Sequence, residues 1–426
     1  MKSLSTCIRW LVATWCIFLI PSGTALASNS TFYNPAIPGF HPDPSCTFVP
    51  EWDNTFFCAS SSFNAFPGIP LHASKDLQNW KLIGHALNRE YQLPRLVETN
   101  RSTSGIWAPT LRFHDETFWL VTTLVDDDRS ADDASRWDNI IFKSINPYED
   151  SSWSNATHFE FVGYDTEPFW DKDGKTYING AHAWKIGPWL QQAEANLDTG
   201  EVGEWRTIWN GTGGMAPEGP HIYLKDGLYY LLAAEGGTGV GHMVTIARSE
   251  NAGGPYESNP ANPILTNANT TSYFQTVGHA DLFQDDSGNW WGVALSTRSG
   301  PEWVYFPMGR ETVLTAVTWR DGEWPQMSPI QGKMSDEITA PVPEEWVASP
   351  VRLEVKAANL THYSFSAGPA NAASRMKTLV YASNDALSWG FTGVFVGVYC
   401  TSNGGLGSTP AYISDWTYIP QGQYRD

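Results

Sequence analysis

Asp43 stands in the stretch Asn34 to Cys46, NPAIPGFHPDPSC, where four prolines fall within eleven residues and two of them bracket the acid. Proline fixes φ near −65° and pushes its predecessor out of the helical region, so this carboxylate sits on a stiff, extended segment. Two further acids share the setting. Asp165 lies in GYDTEPFWD and Glu218 in MAPEGPHIY, each a few residues upstream of an aromatic-rich hairpin, as Asp43 is. A single acid of this kind reads as a polar turn residue. Acids at matching places in separate repeats are better material for acid–base chemistry, which needs a proton donor and a proton acceptor facing one pocket.

The elements that would bring them together are hairpins. Phe48–Ser62, Leu111–Thr123, Phe169–Ala181, Ile222–Glu235 and Leu282–Leu295 each read as an apolar strand, a turn rich in Asp, Gly or Asn, and a second strand opening on aromatics. Their spacing of roughly 55–60 residues suits propeller blades of about four strands. Ser74–Trp80, Phe142–Trp153 and Ala247–Glu257 form a weaker repeat in the gaps, placed as outer-strand turns. Helical periodicity is scarce. The expected fold is all-β, a five-bladed β-propeller, with a β-sandwich as the competing architecture. Innermost strands of a propeller converge on its axis, so acids distant in sequence can share one pocket.

Composition narrows the function classes. A formal charge of −19 argues against nucleic acid as a partner. The 21 tryptophans exceed what a core needs and suit stacking on sugar faces. Lys2 and Arg9, the apolar run Trp10–Ile20 and the small residues Thr24–Ala27 read as a secretory signal over residues 1–27, too short to span a membrane. Sequons at Asn29, Asn100, Asn155, Asn210, Asn269 and Asn359 point the same way, to a secreted, extracellular glycoprotein with no membrane partner after signal cleavage. Of the cysteines outside the signal, Cys46 and Cys58 flank a hairpin and suit either a local disulfide or two buried thiols, and Cys400 is left over.

The motifs PGFHPDPS, GIWAPTLRF, DTEPFWDKDGKTY, EGPHIYLKDGLYYLLAAEGGTG, GHADLF and GRETVL, in this order over Thr31–Met334, resemble the fungal β-xylosidase and α-L-arabinofuranosidase branch of glycoside hydrolase family 43. The resemblance implies an inverting, exo-acting glycosidase on a five-bladed propeller, most readily a β-xylosidase acting on xylo-oligosaccharides or arabinosylated xylan fragments from plant cell walls. An α-L-arabinofuranosidase is the near alternative, and a non-catalytic sugar-binding propeller the alternative from another class. It implies Asp43 as general base, Glu218 as general acid and Asp165 as the third acid, whose negative charge raises the pKa of Glu218, with Asp171 as a rival for that last role. An inverting glycosidase needs such a pair roughly 6.5–9.5 Å apart, one carboxyl ionised and the other protonated.

The same resemblance makes Phe40 and Trp107 walls of a pentose pocket, with core packing the competing reading for Trp107. His279 matches a histidine near the propeller axis that in relatives faces a calcium ion or water, with a core hydrogen bond as its other reading. Arg310 matches a substrate-contacting arginine, with an inter-blade ion pair as its other reading. No cofactor is required on this reading, and a structural calcium near His279 is allowed. Val240 departs from the motif, where many relatives carry tyrosine. The expected domains are a propeller over 28–335 and, over 336–426, a concanavalin A-like β-sandwich that is shortened relative to the family, leaving strands such as Phe391–Tyr399 without a complete partner sheet.

Overall fold

The computed structural model describes residues 30–304, 306, 308–336, 351–357, 362–369 and 376–383. The expected signal segment, Asn29, Asn359, residues 391–399 and Cys400 lie outside them. Contacts divide the chain into two units, Met1–Pro341 and Val342–Asp426.

In the first unit each repeated hairpin supplies the two inner strands of a four-stranded antiparallel blade, or of a five-stranded one in the third repeat. Blade one is Ser45–Val49, Thr55–Ala59, Gly68–Ser74 and Lys81–Leu87, and blade two Gly105–His114, Thr117–Val125, Trp137–Ser144 and Thr157–Phe159. Blade three is Gly163–Trp170, Thr176–His182 and Leu190–Asn196, whose outer edge pairs with both Glu201–Val202 and Arg206–Trp209. Blade four is Glu218–Lys225, Leu228–Glu235, Met243–Ser249 and Glu257–Ser258, and blade five Phe274–Gln284, Trp290–Arg298, Arg310–Thr318 and Gln326–Met327. The first strand of each blade touches the first strand of the next, and blade five returns to blade one. This is the five-bladed propeller read from the sequence, and the helical residues described are short 3₁₀ turns.

The aromatic and β-branched strand residues pack blade against blade. Phe57 and Leu71 of blade one meet Leu111, Phe118 and Leu120 of blade two. Leu232 and Ile246 of blade four meet Val277 and Leu282 of blade five. Each such buried side chain contributes roughly 1.5–3 kcal/mol. Cys46 and Cys58 face each other across the first two strands of blade one and form a disulfide, so the first of the two sequence readings holds.

The ring is closed by the proline-rich segment. Ser30–Tyr33 pairs with Lys333–Asp336. Asn34 then exchanges side-chain hydrogen bonds with the backbone of Leu314, its Nδ2 donating to the carbonyl at 2.9 Å and its Oδ1 accepting from the N–H at 2.8 Å. Ile37 bridges Thr312, and the His41 N–H donates to the Arg310 carbonyl. The last blade's short outer strand leaves this edge open, and residues 34–41 cover it, leading directly to Asp43.

The second unit, described by itself, contains an antiparallel three-stranded sheet, Val351–Ala357, His362–Pro369 and Lys377–Ser383.

Candidate active site

One backbone device recurs at the inner end of all five blades. Between Trp107 and Thr110, Tyr164 and Glu167, Glu218 and His221, and Gly278 and Asp281, the innermost strand carries one residue more than its partner. In blade one the Ser61 N–H bonds to the Pro42 carbonyl while Ser45 pairs with Ala59, which gives the same bulge. The first bulged residue has positive φ each time: Asp43 at 53°, Ala108 at 36°, Asp165 at 52°, Gly219 at 56° and His279 at 50°. A bulge with a left-handed residue bends the strand and re-aims the side chains around it. The five inner strands thereby present Asp43, Asp165 and His279, with Glu218 one residue earlier, to the axis.

Position matching is therefore corrected by one residue. Asp43 and Asp165 are equivalent, but Glu218 is equivalent to Tyr164 and Trp107, and the blade-four counterpart of Asp165 is Gly219. Glycine is required there: at φ 56° a Cβ would stand 2.9 Å from His279 Nε2.

Asp43 is buried and fully partnered. Ser61 Oγ donates to its Oδ2 at 2.6 Å, and Arg310 Nη1 donates to its Oδ1 at 3.0 Å. Ser61 Oγ also accepts the Ala108 N–H at 2.7 Å, so its orientation is set by blade two. His279 Nδ1 stands between two acids, 3.7 Å from Asp43 Oδ1 and 3.9 Å from Asp165 Oδ2. The Gly219 N–H donates to Asp165 Oδ2 at 3.1 Å, and Tyr164 Oη donates to Glu218 Oε2 at 3.0 Å.

These contacts separate the protonation states. Burial opposes ionisation of Asp43, yet the Arg310 guanidinium, His279 and the Ser61 hydroxyl together hold its carboxyl below the usual range. Burial lowers the His279 pKa to about 4, so at neutral pH the imidazole is uncharged and Arg310 is the cation that keeps Asp43 ionised. Burial, aided by the Asp43 charge and opposed by the Tyr164 hydrogen bond, pushes Glu218 up to about 7. Asp165 is also raised, well above its ordinary value, through burial and then the Glu218 and Asp43 charges. The sequence expectation was an ionised Asp165 lifting Glu218. In the structure burial and then the Asp43 charge lift Glu218, and burial lifts the adjacent Asp165 as well, so the two carboxyls titrate as a pair.

A pH signature follows. Removing the last proton from the pair creates two adjacent anions beside Asp43, whereas with Asp165→Asn the same step creates one. The basic limb of the pH–rate profile should move down in Asp165→Asn by roughly one pH unit or more. A superimposable profile would show that the two carboxyls do not share a proton.

Asp171 lies at the far end of the same strand, six residues on, or about 20 Å away at the rise of an extended chain. Its Oδ1 accepts from Tyr229 Oη at 2.6 Å in a surface turn. It has no place in the cluster. The walls are aromatic: Phe40 lies 5.7 Å from Phe63, Phe63 6.3 Å from Trp107, and Trp107 5.8 Å from Tyr164, ring centre to ring centre. Phe40 is half exposed, Trp107 partly buried with its Nε1 donating to the Thr103 carbonyl, and the Arg310 guanidinium lies over Phe63. Val240 is exposed on the loop after Glu235. Arg310 thus satisfies its inter-blade reading, through Asp43, while lying against Phe63.

Sequence reasoning missed Ser61, Phe63 and Tyr164. The first two sit on the loop after the first hairpin, where nothing in their types signals chemistry. It also missed Arg112, whose guanidinium fills the axis below the acids. Arg112 Nη1 donates to Asp281 Oδ2 at 2.7 Å, and Nη2 to Asp281 Oδ1 at 3.0 Å and to Glu167 Oε1 at 3.1 Å. Among the described residues no group of three or more His, Cys, Asp or Glu is arranged to hold a metal ion. The axial carboxylates Asp281 and Glu167 are both already paired with the Arg112 guanidinium, and nothing in this arrangement supports the calcium allowed by the sequence reading.

Fold and site together define a β-propeller with a carboxylate cluster at one mouth of its axis. Residues 32–325 match the model of glycosyl hydrolases family 43, and residues 317–419 match the β-xylosidase C-terminal concanavalin A-like domain. The chain belongs to glycosyl hydrolase family 43. It is 37% identical over 337 residues to the non-reducing end α-L-arabinofuranosidase BoGH43B of Bacteroides ovatus, covering 76% of this chain and 59% of that one. It is 35% identical to the xylosidase/arabinosidase 43B of Humicola insolens, over 79% of this chain and 60% of that one. The crystal structure of the GH43 BlXynB protein from Bacillus licheniformis superposes with a TM-score of 0.65 at 36% identity, covering 73% of this chain and 60% of that one. The chain thus spans about six-tenths of the length of these curated relatives.

Proposed function

We propose that the protein is an exo-acting, inverting pentosidase that removes β-xylosyl units from xylan oligosaccharides. One observation carries the reading: Asp43 is held ionised by Arg310 while Glu218, in the same pocket, is pushed up to about 7. Two carboxyls with separated protonation states are what a single-displacement glycosidase requires, one to deprotonate water and one to protonate the leaving oxygen. In the forward step Asp43 takes a proton from water as the water oxygen attacks the anomeric carbon. The glycosidic bond breaks and Glu218 gives its proton to the departing oxygen. Phe40, Phe63 and Trp107 enclose the sugar, and His279 and Arg310 hold Asp43 and offer donors to its hydroxyls.

An α-L-arabinofuranosidase is the second reading, favoured by the Bacteroides relative's name. Export from the cell is proposed as well. It is supported by the amino-terminal pattern and by the exposure of Asn100, Asn155, Asn210 and Asn269, all the sequon asparagines among the described residues. Plant cell-wall xylan is the substrate source that this location would give.

The test compares release of p-nitrophenol from the β-D-xylopyranoside and the α-L-arabinofuranoside, with proton NMR of the first-formed sugar. Turnover of the xyloside with α-xylose appearing first is expected. Faster arabinoside turnover would select the second reading, and β-xylose appearing first, or no release from either glycoside, would overturn the mechanism.

A further inference from the structure

We infer that Tyr164 is a positioning residue for the acid step: its hydroxyl engages Glu218 Oε2, so that Oε1 carries and delivers the proton. The inference rests on the reading of Glu218 as general acid.

Tyr164 is 2% exposed. Its ring is stacked on Trp137 at 5.4 Å and 16° and meets Trp107 edge-on at 5.8 Å and 90°. Its backbone pairs with Ala181 on the neighbouring strand. The phenol is thus fixed at both ends, and its hydroxyl reaches Glu218 Oε2 at 3.0 Å. Bulge geometry explains the meeting, because Tyr164 and Glu218 are the equivalent residues of adjacent inner strands. Burial, with the Glu218 and Asp165 charges, raises the Tyr164 pKa well above its ordinary value, so it stays a neutral donor.

A protonated carboxyl has one oxygen bearing hydrogen and one carbonyl oxygen that only accepts. A phenol donor on Oε2 makes Oε2 the accepting oxygen and leaves Oε1 as the hydroxyl. When Oε1–H transfers its proton to the leaving oxygen, the electron pair of that bond stays on Glu218. The phenol's hydrogen bond then becomes charge-assisted, roughly twice as strong as the neutral one. The contact therefore strengthens along the reaction coordinate, the condition for lowering the barrier.

The other groups facing the pair are Asp165 on the same strand as Tyr164, Asp43 ahead of blade one, and Arg310 and His279 on blade five. Arg136, whose guanidinium lies over the Trp137 ring, favours the phenolate, as the last of the influences on Tyr164. None of these donates to Glu218 Oε2 in the structure.

Tyr164→Phe retains the stacked ring and removes the donor. On an alkyl glycoside of the pentose that the enzyme cleaves, kcat should fall roughly three- to tenfold, the effect of losing the increment of one charge-assisted hydrogen bond. The basic limb should rise by about 0.5–1 pH unit, because a donor to the charged form has been lost. On the 2,4-dinitrophenyl glycoside of the same sugar, whose leaving group needs no proton, most of that loss should disappear. Carbon-13 NMR titration of the Glu218 carboxyl, without substrate, should show the same upward shift and does not depend on turnover. A basic limb and a Glu218 titration that both stay in place would overturn the inference, as would equal losses on the two glycosides, which mark a packing defect. Glu218→Ala run in parallel separates the two layers. If it is rescued by the dinitrophenyl glycoside while Tyr164→Phe shifts nothing, the acid assignment stands and the role of Tyr164 falls. If it is not rescued, both fall together.

Discussion

Replacing Asp43 with alanine should lower kcat/KM by roughly 10²- to 10⁴-fold on every glycoside, whatever its leaving group, since attack by water is part of the single displacement. Leaving-group independence is the diagnostic part. The structure adds two consequences. Arg310 Nη1 and Ser61 Oγ both donate to Asp43, so alanine leaves a partly buried guanidinium without its carboxylate, and some loss of stability will accompany the loss of rate. Asp43→Asn keeps the shape and accepts at one oxygen, and should be as inactive with a smaller drop in melting temperature. Removing the Asp43 charge also withdraws the negative neighbour that lifts Glu218, so the residual activity should lose its basic limb to lower pH. Near wild-type hydrolysis by Asp43→Asn would take this carboxylate out of the chemistry.

Glu218→Ala should separate substrates by leaving group. On an alkyl or oligosaccharide aglycone the loss should again be roughly 10²- to 10⁴-fold, because proton donation is worth about that much. On the 2,4-dinitrophenyl glycoside most of the rate should return, and the basic limb should disappear, since no proton is then required from the enzyme. Comparing the two kcat/KM ratios within one variant cancels differences in folding or binding. An equal loss on both substrates would assign Glu218 to binding or structure, not to proton donation.

The fold was largely legible because each blade repeats one local pattern that the physics of hairpins reads easily. Phe48–Ser62 and Leu282–Leu295 carry the same strand, polar turn and aromatic strand, and five copies at one spacing leave few architectures. The acids were legible for a related reason: Asp43 and Glu218 stand beside prolines, where backbone freedom is least. What could not be read is what depends on side chains meeting across blades. Nothing local marks Ser61 as the partner of Asp43, or Arg112 as the cation shared by Asp281 and Glu167, because each meets its partners only when the ring closes. Protonation states were hidden for the same reason. The sign of the Asp43 shift is set by Arg310, 267 residues away, and the upward shifts of Asp165 and Glu218 by burial that no short stretch encodes. Glu218 was placed one residue out of register with Asp43 because a bulge, unlike a hairpin, leaves no compositional mark.

The lacing of residues 34–41 along the last blade makes the site a product of chain completion. Asn34 and Leu314 are 280 residues apart, and joining segments so distant costs on the order of 5 kcal/mol in loop-closure entropy. That cost is met only once the blades between them stack. The carboxylate precedes the first blade, and the guanidinium that ionises it lies on the last. With only four blades formed, Asp43 has neither the blade-five edge that residues 34–41 follow nor Arg310 to charge it. On the proposed mechanism the site is therefore complete only when the strand bearing Arg310 has joined the ring.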